Sequence, residues 1–149
     1  MIREWTRGEY TISTDRQRLD LALIHDFLTH RSYWARGVPR EVVERSIAHS
    51  LPFGVYDAAG QVGFARVVTD FAVFGFLMDV FVHERARGRG LGKWLVETIV
   101  TLPELQGFRR WMLATQDAHD LYRRFGFREP SWPDRLMEKV DPDPYRAAR

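Results

Sequence analysis

Residues 82–93, VHERARGRGLGK, contain three glycines and four Arg or Lys side chains where an apolar run changes into a helical pattern. Glycine lets backbone amides approach a ligand without a Cβ in the way. The first turn of a helix adds unpaired N–H groups and the positive end of the helix dipole. Arginine adds charge-assisted hydrogen bonds. The stretch therefore predicts a strand, a turn and a helix that together bind a ligand carrying phosphate groups.

Two common phosphate motifs are absent from this turn. Its glycines follow neither Gly-x-x-x-x-Gly-Lys-Ser/Thr nor Gly-x-Gly-x-x-Gly, which excludes a P-loop and a Rossmann loop. On these residues alone, a plain helix cap rich in Arg and Gly remains an alternative.

The flanking sequence predicts the order β-α-α-β-β-β-α-β-α-β from its apolar periods and turn residues. The predicted strands cover residues 10–14, 53–56, 62–68, 73–82, 108–114 and 136–140. Four helices are predicted. The first has Asp15 as its cap and apolar residues between 19 and 28, and the second is opened by Pro39. The third covers residues 91–102, and the fourth is a short helix over 118–125 that is capped by Asp117. This order predicts a single α/β (α+β) domain over residues 1–149, with residues 141–149 as a mobile tail.

Composition excludes several classes of protein. Among 149 residues, 45% are hydrophobic and 28% charged, as in ordinary soluble domains, and no apolar run reaches membrane-spanning length. There is no cysteine, and the five histidines lack a metal-binding spacing, so we expect no metal. The net charge is only +2, and most arginines alternate with Asp and Glu, which predicts no nucleic-acid partner. We expect a cytoplasmic protein with no membrane contact.

Two segments together resemble the GNAT acetyltransferase family. Residues 87–92, RGRGLG, are similar to its pyrophosphate loop, Arg/Gln-x-x-Gly-x-Gly/Ala; a second register starting at Arg85 is less suitable because it misplaces the apolar Leu91. Residues 121–127, LYRRFGF, resemble the second signature, Tyr-x-x-x-Gly-Phe. The order of elements also resembles the family's over nearly the whole chain.

The resemblance implies a mixed central sheet that is splayed between its fourth and fifth strands, with acetyl-coenzyme A as cosubstrate in the gap. By comparison with the family, the backbone of Phe81 and Val82 binds pantetheine, and the N–H of Val80 polarises the thioester carbonyl. Thr115 stands where many relatives place an Asn that contacts coenzyme A. The pyrophosphate contacts implied by the loop motif are Arg87, Gly88, Arg89, Gly90, Leu91, Gly92 and Lys93.

Catalytic and acceptor residues also follow from the resemblance. Tyr122 matches the tyrosine that protonates the leaving thiolate; the alternative is a packing tyrosine. Asp79, a charge in an apolar strand, is predicted to face the cleft as a catalytic or acceptor-binding group, with structural pairing to an arginine as the alternative. Tyr33 and Trp34 are candidates for contact with the acceptor. Met78 stands where polyamine acetyltransferases carry a glutamate base.

The predicted function is transfer of an acetyl group from acetyl-coenzyme A to a primary amine of a small molecule or peptide, by a monomer or homodimer. Two alternatives remain. One is a non-catalytic coenzyme A sensor or interaction module, against which Tyr122 argues. The other is a nucleic-acid contact at residues 85–93, which lacks the exposed aromatic side chains that such sites use.

Overall fold

The computed structural model describes residues 1–146, and its centre is one six-stranded sheet. The strands follow one another across the sheet in chain order, and every neighbouring pair is antiparallel except β5 and β6, which are parallel. The strands are β1 Glu4–Arg7, β2 Tyr10–Ser13, β3 Leu51–Asp57, β4 Gly60–Thr69, β5 Phe74–Val82 and β6 Arg110–Met112. The predicted mixed sheet is thus confirmed.

Within residues 1–146, four α-helices flank this sheet: α1 Leu21–Asp26, α2 Arg40–Ala48, α3 Leu91–Val100 and α4 His119–Arg123. A π-helical turn, Phe27–Arg31, continues α1. Short 3₁₀ turns cover Arg16–Arg18, Glu84–Ala86, Pro103–Leu105 and Pro133–Arg135. Helix α3 begins at Leu91 and ends just before Pro103, as its apolar period and the proline predict.

In the described part of the chain, two apolar clusters are buried on the sheet. The first core includes Val55, Val67, Leu95 and Ile99, which join β3 and β4 to α3. The second core joins the helices before β3 to β4 and β5 and includes Ile24, Phe27, Phe64 and Phe81. The rings of Phe27 and Phe81 stack with centroids 3.9 Å apart. This packing fixes β5, which carries much of the predicted site, from the α1 side of the sheet.

Several predicted boundaries were wrong. Asp15 caps the first 3₁₀ turn, and Asp20 caps α1 by accepting the Leu23 amide at 3.0 Å. Asp117 does not cap α4; instead the hydroxyl of Thr115 accepts the Ala118 amide. β6 is shorter than residues 108–114, and β1 was not predicted.

The predicted last strand, residues 136–140, is also wrong. This segment forms no strand, because no neighbouring strand of the described chain hydrogen-bonds to it. Downstream, Tyr145 packs against the second core, and Arg146 pairs with Asp141. Residues 147–149 of the predicted tail lie outside the part of the chain that the structure describes, and the mobility of the tail stays a prediction.

Candidate active site

The parallel strands β5 and β6 separate after a short contact. Their pairing extends from Phe74 beside Arg110 to Phe76 beside Met112, where β6 ends. β5 continues to Val82 with β4 on one side and no strand of the described chain on the other. Beyond Phe76, the backbone groups of β5 that point away from β4 therefore face an open gap. This gap is the splay that the resemblance predicted between the fourth and fifth strands; the observed strand numbers are one higher because β1 was not predicted.

A β-bulge lies in β5 inside this gap. Phe64 pairs with Phe81 and Arg66 with Met78, so two residues of β5, Asp79 and Val80, stand opposite the single residue Ala65 of β4. Asp79 has a φ of 57°, a left-handed conformation that Asp tolerates better than most residues. A bulge bends its strand and increases the local twist, which here coincides with the separation from β6.

The carboxylate of Asp79 is almost completely buried and uses both of its oxygens. One accepts the indole N–H of Trp34 at 2.8 Å, and the other accepts Nε–H of Arg66 at 2.6 Å. The side chains of Asp79 and Arg66 are 8% and 11% exposed, so the ion pair is shielded from water. Asp79 is thus paired through both oxygens inside the protein, and its part in catalysis or acceptor binding stays a prediction.

The two aromatic candidates for the acceptor lie beside Asp79 and extend across the gap. Tyr33 and Trp34 touch edge to face with centroids 5.0 Å apart, and both side chains are partly exposed. The hydroxyl of Tyr33 accepts the amide of Gln116 at 2.7 Å, in the loop that follows β6. The neighbouring residues Tyr33 and Trp34 therefore connect β5, through Asp79, to the loop beyond β6.

The glycine-rich turn presents free backbone donors. Gly88 and Gly90 both have φ of 76°, and a Cβ at either position would meet nothing within 4 Å. Among residues 1–146, no atom accepts a hydrogen bond from the amides of Leu91, Gly92 or Lys93, and no side chain caps α3. Such an open helix start suits an anion, which supports binding of a pyrophosphate group here.

The arginines of this turn already have contacts within the protein. Arg85 pairs with Asp57 at 2.6 Å, and Arg89 donates to the hydroxyl of Tyr10 at 2.7 Å. Arg87 donates Nε–H to the carbonyl of Val82 at 3.1 Å, which leaves its terminal NH₂ groups without an acceptor in the described chain. Arg87 therefore combines an anchored position with free donors, as a phosphate contact requires.

Tyr122 lies on α4 with its ring inside the first core. Its ring contacts Phe127 edge to face at 6.0 Å. Burial, followed by the influence of Tyr33 and Asp117, raises the pKa of Tyr122 to about 12. With this raised pKa the phenol is neutral near pH 7 and still carries its proton.

Three residues near the site were missed by sequence reasoning. Arg66 could have been suspected, because it is a charge inside an otherwise apolar strand facing the strand of Asp79. Gln116 acts through its backbone amide, which no residue pattern reveals. Tyr145 packs on the second core; burial and the Asp79 carboxylate raise its pKa, which places the chain after β6 close to Asp79.

Residues 1–146 contain neither a membrane-spanning helix nor a cluster of metal-ligating side chains. No helix within residues 1–146 is long and apolar enough to cross a bilayer. The same part of the chain contains no group of three or more His, Cys, Asp or Glu side chains placed to hold a metal ion. The expected cellular location and the expected absence of a metal stay predictions.

Comparisons with known proteins agree with this geometry. The acetyltransferase (GNAT) domain family matches residues 48–129, which is more than half of the chain. A candidate acetyltransferase from Gibberella zeae is 31% identical over 142 residues, covering 80% of this chain and 79% of its own. The crystal structure of a candidate GNAT acetyltransferase from Xanthomonas campestris is 47% identical, with a TM-score of 0.89, and the match covers 92% of this chain and 96% of that one.

A more distant structure shares the fold. This candidate acetyltransferase from Clostridium acetobutylicum, whose structure contains acetyl-CoA, is 13% identical, with a TM-score of 0.59 over 94% of this chain and 96% of that one.

Proposed function

The chain belongs to the GNAT acetyltransferase family, and from this premise we propose that it transfers the acetyl group of acetyl-coenzyme A to a primary amine of a small molecule or peptide. The observation that carries the proposal is the meeting of a splayed strand, β5, with an uncapped glycine-rich helix start. Strand β5 offers an unpaired strand edge, and the start of α3, which follows it in the chain, offers unpaired amides.

The helix start would hold the pyrophosphate of coenzyme A. The amides of Leu91, Gly92 and Lys93 supply donors at the positive end of the α3 dipole, and the left-handed Gly88 and Gly90 keep side chains out of the way. Arg87 adds a charged donor. Arg89 is the weakest member of the predicted set, since it already contacts Tyr10 and Glu9.

The unpaired edge of β5 would hold the pantetheine arm. We assign the main-chain groups of Phe81 and Val82 to its amides in the manner of an added strand, where the Val82 carbonyl also accepts Nε–H of Arg87. The bulge at Asp79 and Val80 turns the backbone out of the regular ladder, and we assign the N–H of Val80 to the thioester carbonyl, where it stabilises developing negative charge. The hydroxyl of Thr115 already accepts the Ala118 amide, so its coenzyme A contact is proposed only for the hydroxyl proton.

Tyr122 would supply the proton that the departing sulfur needs. The amine nitrogen bonds to the acetyl carbon, the carbon–sulfur bond breaks, and the phenol proton moves to sulfur. With a phenol pKa of about 12 and a thiol pKa of about 8.5, this step alone is uphill by about 5 kcal/mol. The proton released by the acylated amine, an acidic ammonium at that point, must therefore return to the phenolate in the same event.

The acceptor would lie against Tyr33 and Trp34. Their rings are partly exposed beside the gap, and aromatic faces attract the cationic form of an amine. We assign Asp79 the role of holding Trp34 in position rather than that of a base, because Arg66 and Trp34 each donate a hydrogen bond to one of its oxygens. On this proposal, a base from the protein is not needed when the amine itself has a low pKa.

The test is release of free thiol when acetyl-coenzyme A is mixed with a library of primary amines. We expect thiol release that depends on a particular class of amine and is lost in Tyr122→Phe. Calorimetry with coenzyme A separates the alternative: a chain that binds coenzyme A but releases thiol with no amine would be a sensor or interaction module.

A further inference from the structure

Five large apolar side chains in the middle of the sheet belong to neither core of the described residues. Val68 of β4, Phe76 of β5 and Met112 of β6 stand opposite one another in the strand register and form a row across three strands. Phe74 and Met78 lie on either side of Phe76 along β5, and the rings of Phe74 and Phe76 have centroids 6.4 Å apart. All five are at least partly exposed, and we call them the apolar strip. A contiguous apolar surface of this kind is typical of a site that a ligand or a partner covers.

The apolar strip lies on the face of the sheet that points away from α3. Val67 and Leu77, which are chain neighbours of the row in β4 and β5, belong to the first core, which α3 covers. Because side chains alternate along a strand, the strip points to the opposite face. The second core covers that face only at its other end, where Phe64 and Phe81 are buried. The strip is thus the uncovered remainder of the face that carries the second core.

The strip begins beside the place where the proposed reaction occurs. Met78 directly precedes the bulge of Asp79 and Val80, and it stands opposite Arg66 in the register of β4 and β5. From the bulge, the strip continues along β5 in the direction away from the glycine-rich turn. A strand rises about 3.3 Å per residue, so Met78 lies roughly 7 Å from Val80 and Phe76 roughly 13 Å from it. An amine beside Val80 therefore has the strip within reach of its substituent.

We propose that the acceptor is a primary amine that carries an aromatic or branched aliphatic group on the carbon next to nitrogen, and that this group lies on the apolar strip. The inference rests on the proposed function, because it takes the acetyl group to be presented beside Val80. Trp34 lies at the same end of the strip, since it bonds to Asp79 and its ring neighbours Phe27 of the second core at 6.5 Å. The acceptor therefore meets the strip along β5 and the exposed ring of Trp34 at the amine end. An apolar amino acid, or a peptide that begins with one, has this form.

Charge argues against a second cationic group on the strip. The strands β4, β5 and β6 carry one carboxylate, that of Asp79, and two arginines, Arg66 and Arg110. The carboxylate already pairs with Arg66. A polyamine would therefore place its second ammonium against apolar side chains without a free carboxylate, which costs free energy. An aromatic or aliphatic group gains free energy from the same contact.

Calorimetry with amino acid amides measures this preference without acetyl transfer. The chain is saturated with coenzyme A and titrated with phenylalanine amide, alanine amide or lysine amide, which share the α-amine. We expect a Kd about tenfold lower for phenylalanine amide than for the other two, because part of its ring is buried on the strip. Equal affinities, tighter binding of lysine amide, or no measurable binding of phenylalanine amide overturns the proposal.

Thiol release from acetyl-coenzyme A, measured with the phenylalanine and alanine amides, separates this proposal from the proposed function. A preference for phenylalanine amide in binding, without thiol release from either amide, contradicts the proposed function and leaves the strip as a binding site. Thiol release with equal kcat/KM for the two amides contradicts the role of the strip and leaves the proposed function intact.

Variants of the strip test its position. Phe76→Ala removes the centre of the row, and Val68→Lys adds a charge at a side chain that is 38% exposed. Both should bring the ratio of the two affinities close to one, whereas Ile2→Lys, an exposed apolar site beside β1 at the opposite edge of the sheet, should keep the tenfold ratio. Thermal unfolding shows which variants are folded, and an unchanged ratio in folded Val68→Lys overturns the proposal. A wild-type dimer in sedimentation that becomes a monomer in Val68→Lys also overturns it, because the strip would then be covered by a second copy of the chain.

Discussion

Trp34 donates its indole N–H to the carboxylate of Asp79 at 2.8 Å across a sequence separation of 45 residues. Arg66 occupies the second oxygen of the same carboxylate at 2.6 Å, in a setting that is nearly closed to water. Each oxygen of the Asp79 carboxylate therefore already accepts one hydrogen bond from a side chain of the protein. This arrangement suits a group that holds Trp34 in place rather than one that takes a proton from the acceptor.

The first prediction follows from that pairing. Asp79→Asn should raise the KM for the amine, by about tenfold as for the loss of a charge-assisted bond, because Trp34 is less firmly held. The pH profile of kcat/KM should keep its shape, since no titrating base has been removed. Steady-state kinetics from pH 6 to 10 check this, with Glu44→Gln as an exposed control. A basic limb that disappears in Asp79→Asn would make Asp79 the base.

The second prediction concerns the helix start. Arg87→Ala should weaken coenzyme A binding by about 1.5 kcal/mol, roughly tenfold, through loss of a charged donor. Gly90→Asp should weaken it further, because it places negative charge and a side chain in a left-handed position at the open end of α3. Calorimetry with coenzyme A measures both effects.

Two matched controls belong to this measurement. Arg85→Ala removes the other arginine that could begin the loop motif, but that side chain is paired with Asp57 and should leave the affinity unchanged. Gly37→Asp repeats the change of Gly90 at another open glycine with φ of 77°, away from α3. Equal losses in all four variants would refute the assignment of the pyrophosphate site.

The sequence predicted the elements whose signals are local. The glycines and the apolar period fixed the turn and the start of α3 at Leu91, and the sheet's parallel pair follows from the crossover that joins β5 to β6. β1 was missed because only Trp5 among its four residues is even partly buried, which leaves no alternation to detect. Segment 136–140 shows the reverse error: a strand pattern does not supply the partner that a strand needs.

The residues of the candidate site also divide into those with a local sequence signal and those without one. Tyr122 was proposed because its motif is contiguous, and the structure places Tyr33, Trp34 and Asp79 beside the gap, while the roles of all four residues stay predictions. Their connections could not be predicted, because the bond from the Gln116 amide to Tyr33 joins residues 83 positions apart. The left-handed φ of Asp79 arises from the pairing of β4 with β5, so no single strand encodes it.

The third prediction tests the proposed acid. Tyr122→Phe should lower kcat by about 100-fold and leave coenzyme A affinity nearly unchanged, because it removes a proton donor and keeps the ring that packs in the first core. Single-turnover kinetics and calorimetry give the two quantities separately. Full activity of the variant would mean that sulfur leaves unprotonated or is protonated by water.

The fourth prediction links the same residue to stability at high pH. Burial raises the pKa of Tyr122 to about 12, above the value of about 10 in an unfolded chain. The folded chain therefore keeps a proton that the unfolded chain loses, and the resulting stability is complete below pH 10 and disappears as pH rises through 12. The full difference amounts to about 2 to 3 kcal/mol.

Urea unfolding at pH 9 and 11 checks this expectation. The wild type should lose more free energy of unfolding over this interval than Tyr122→Phe, which has no phenol to ionise. Tyr56 provides the comparison, because burial also raises its pKa to about 12 and Tyr56→Phe should flatten the profile similarly. Parallel profiles for the wild type and both variants would contradict the assigned effect of burial.

The fifth prediction concerns the acceptor, and it follows from the paired state of Asp79 and from Met78 at the position where polyamine acetyltransferases carry a base. Only a neutral amine can attack. An alkyl amine of pKa about 10.4 is about 0.1% neutral near pH 7.4, a penalty of about 4 kcal/mol, whereas an α-amine of pKa about 8 is about one fifth neutral. We therefore expect α-amines, as in an amino acid or a peptide N-terminus, to be the better acceptors at neutral pH. For a matched pair of acceptors, kcat/KM should rise about tenfold per pH unit up to pH 10 with the alkyl amine and level off near pH 8 with the α-amine. A flat profile for the alkyl amine would show that the protein supplies a base, and the loss of that flatness in Asp79→Asn would identify it.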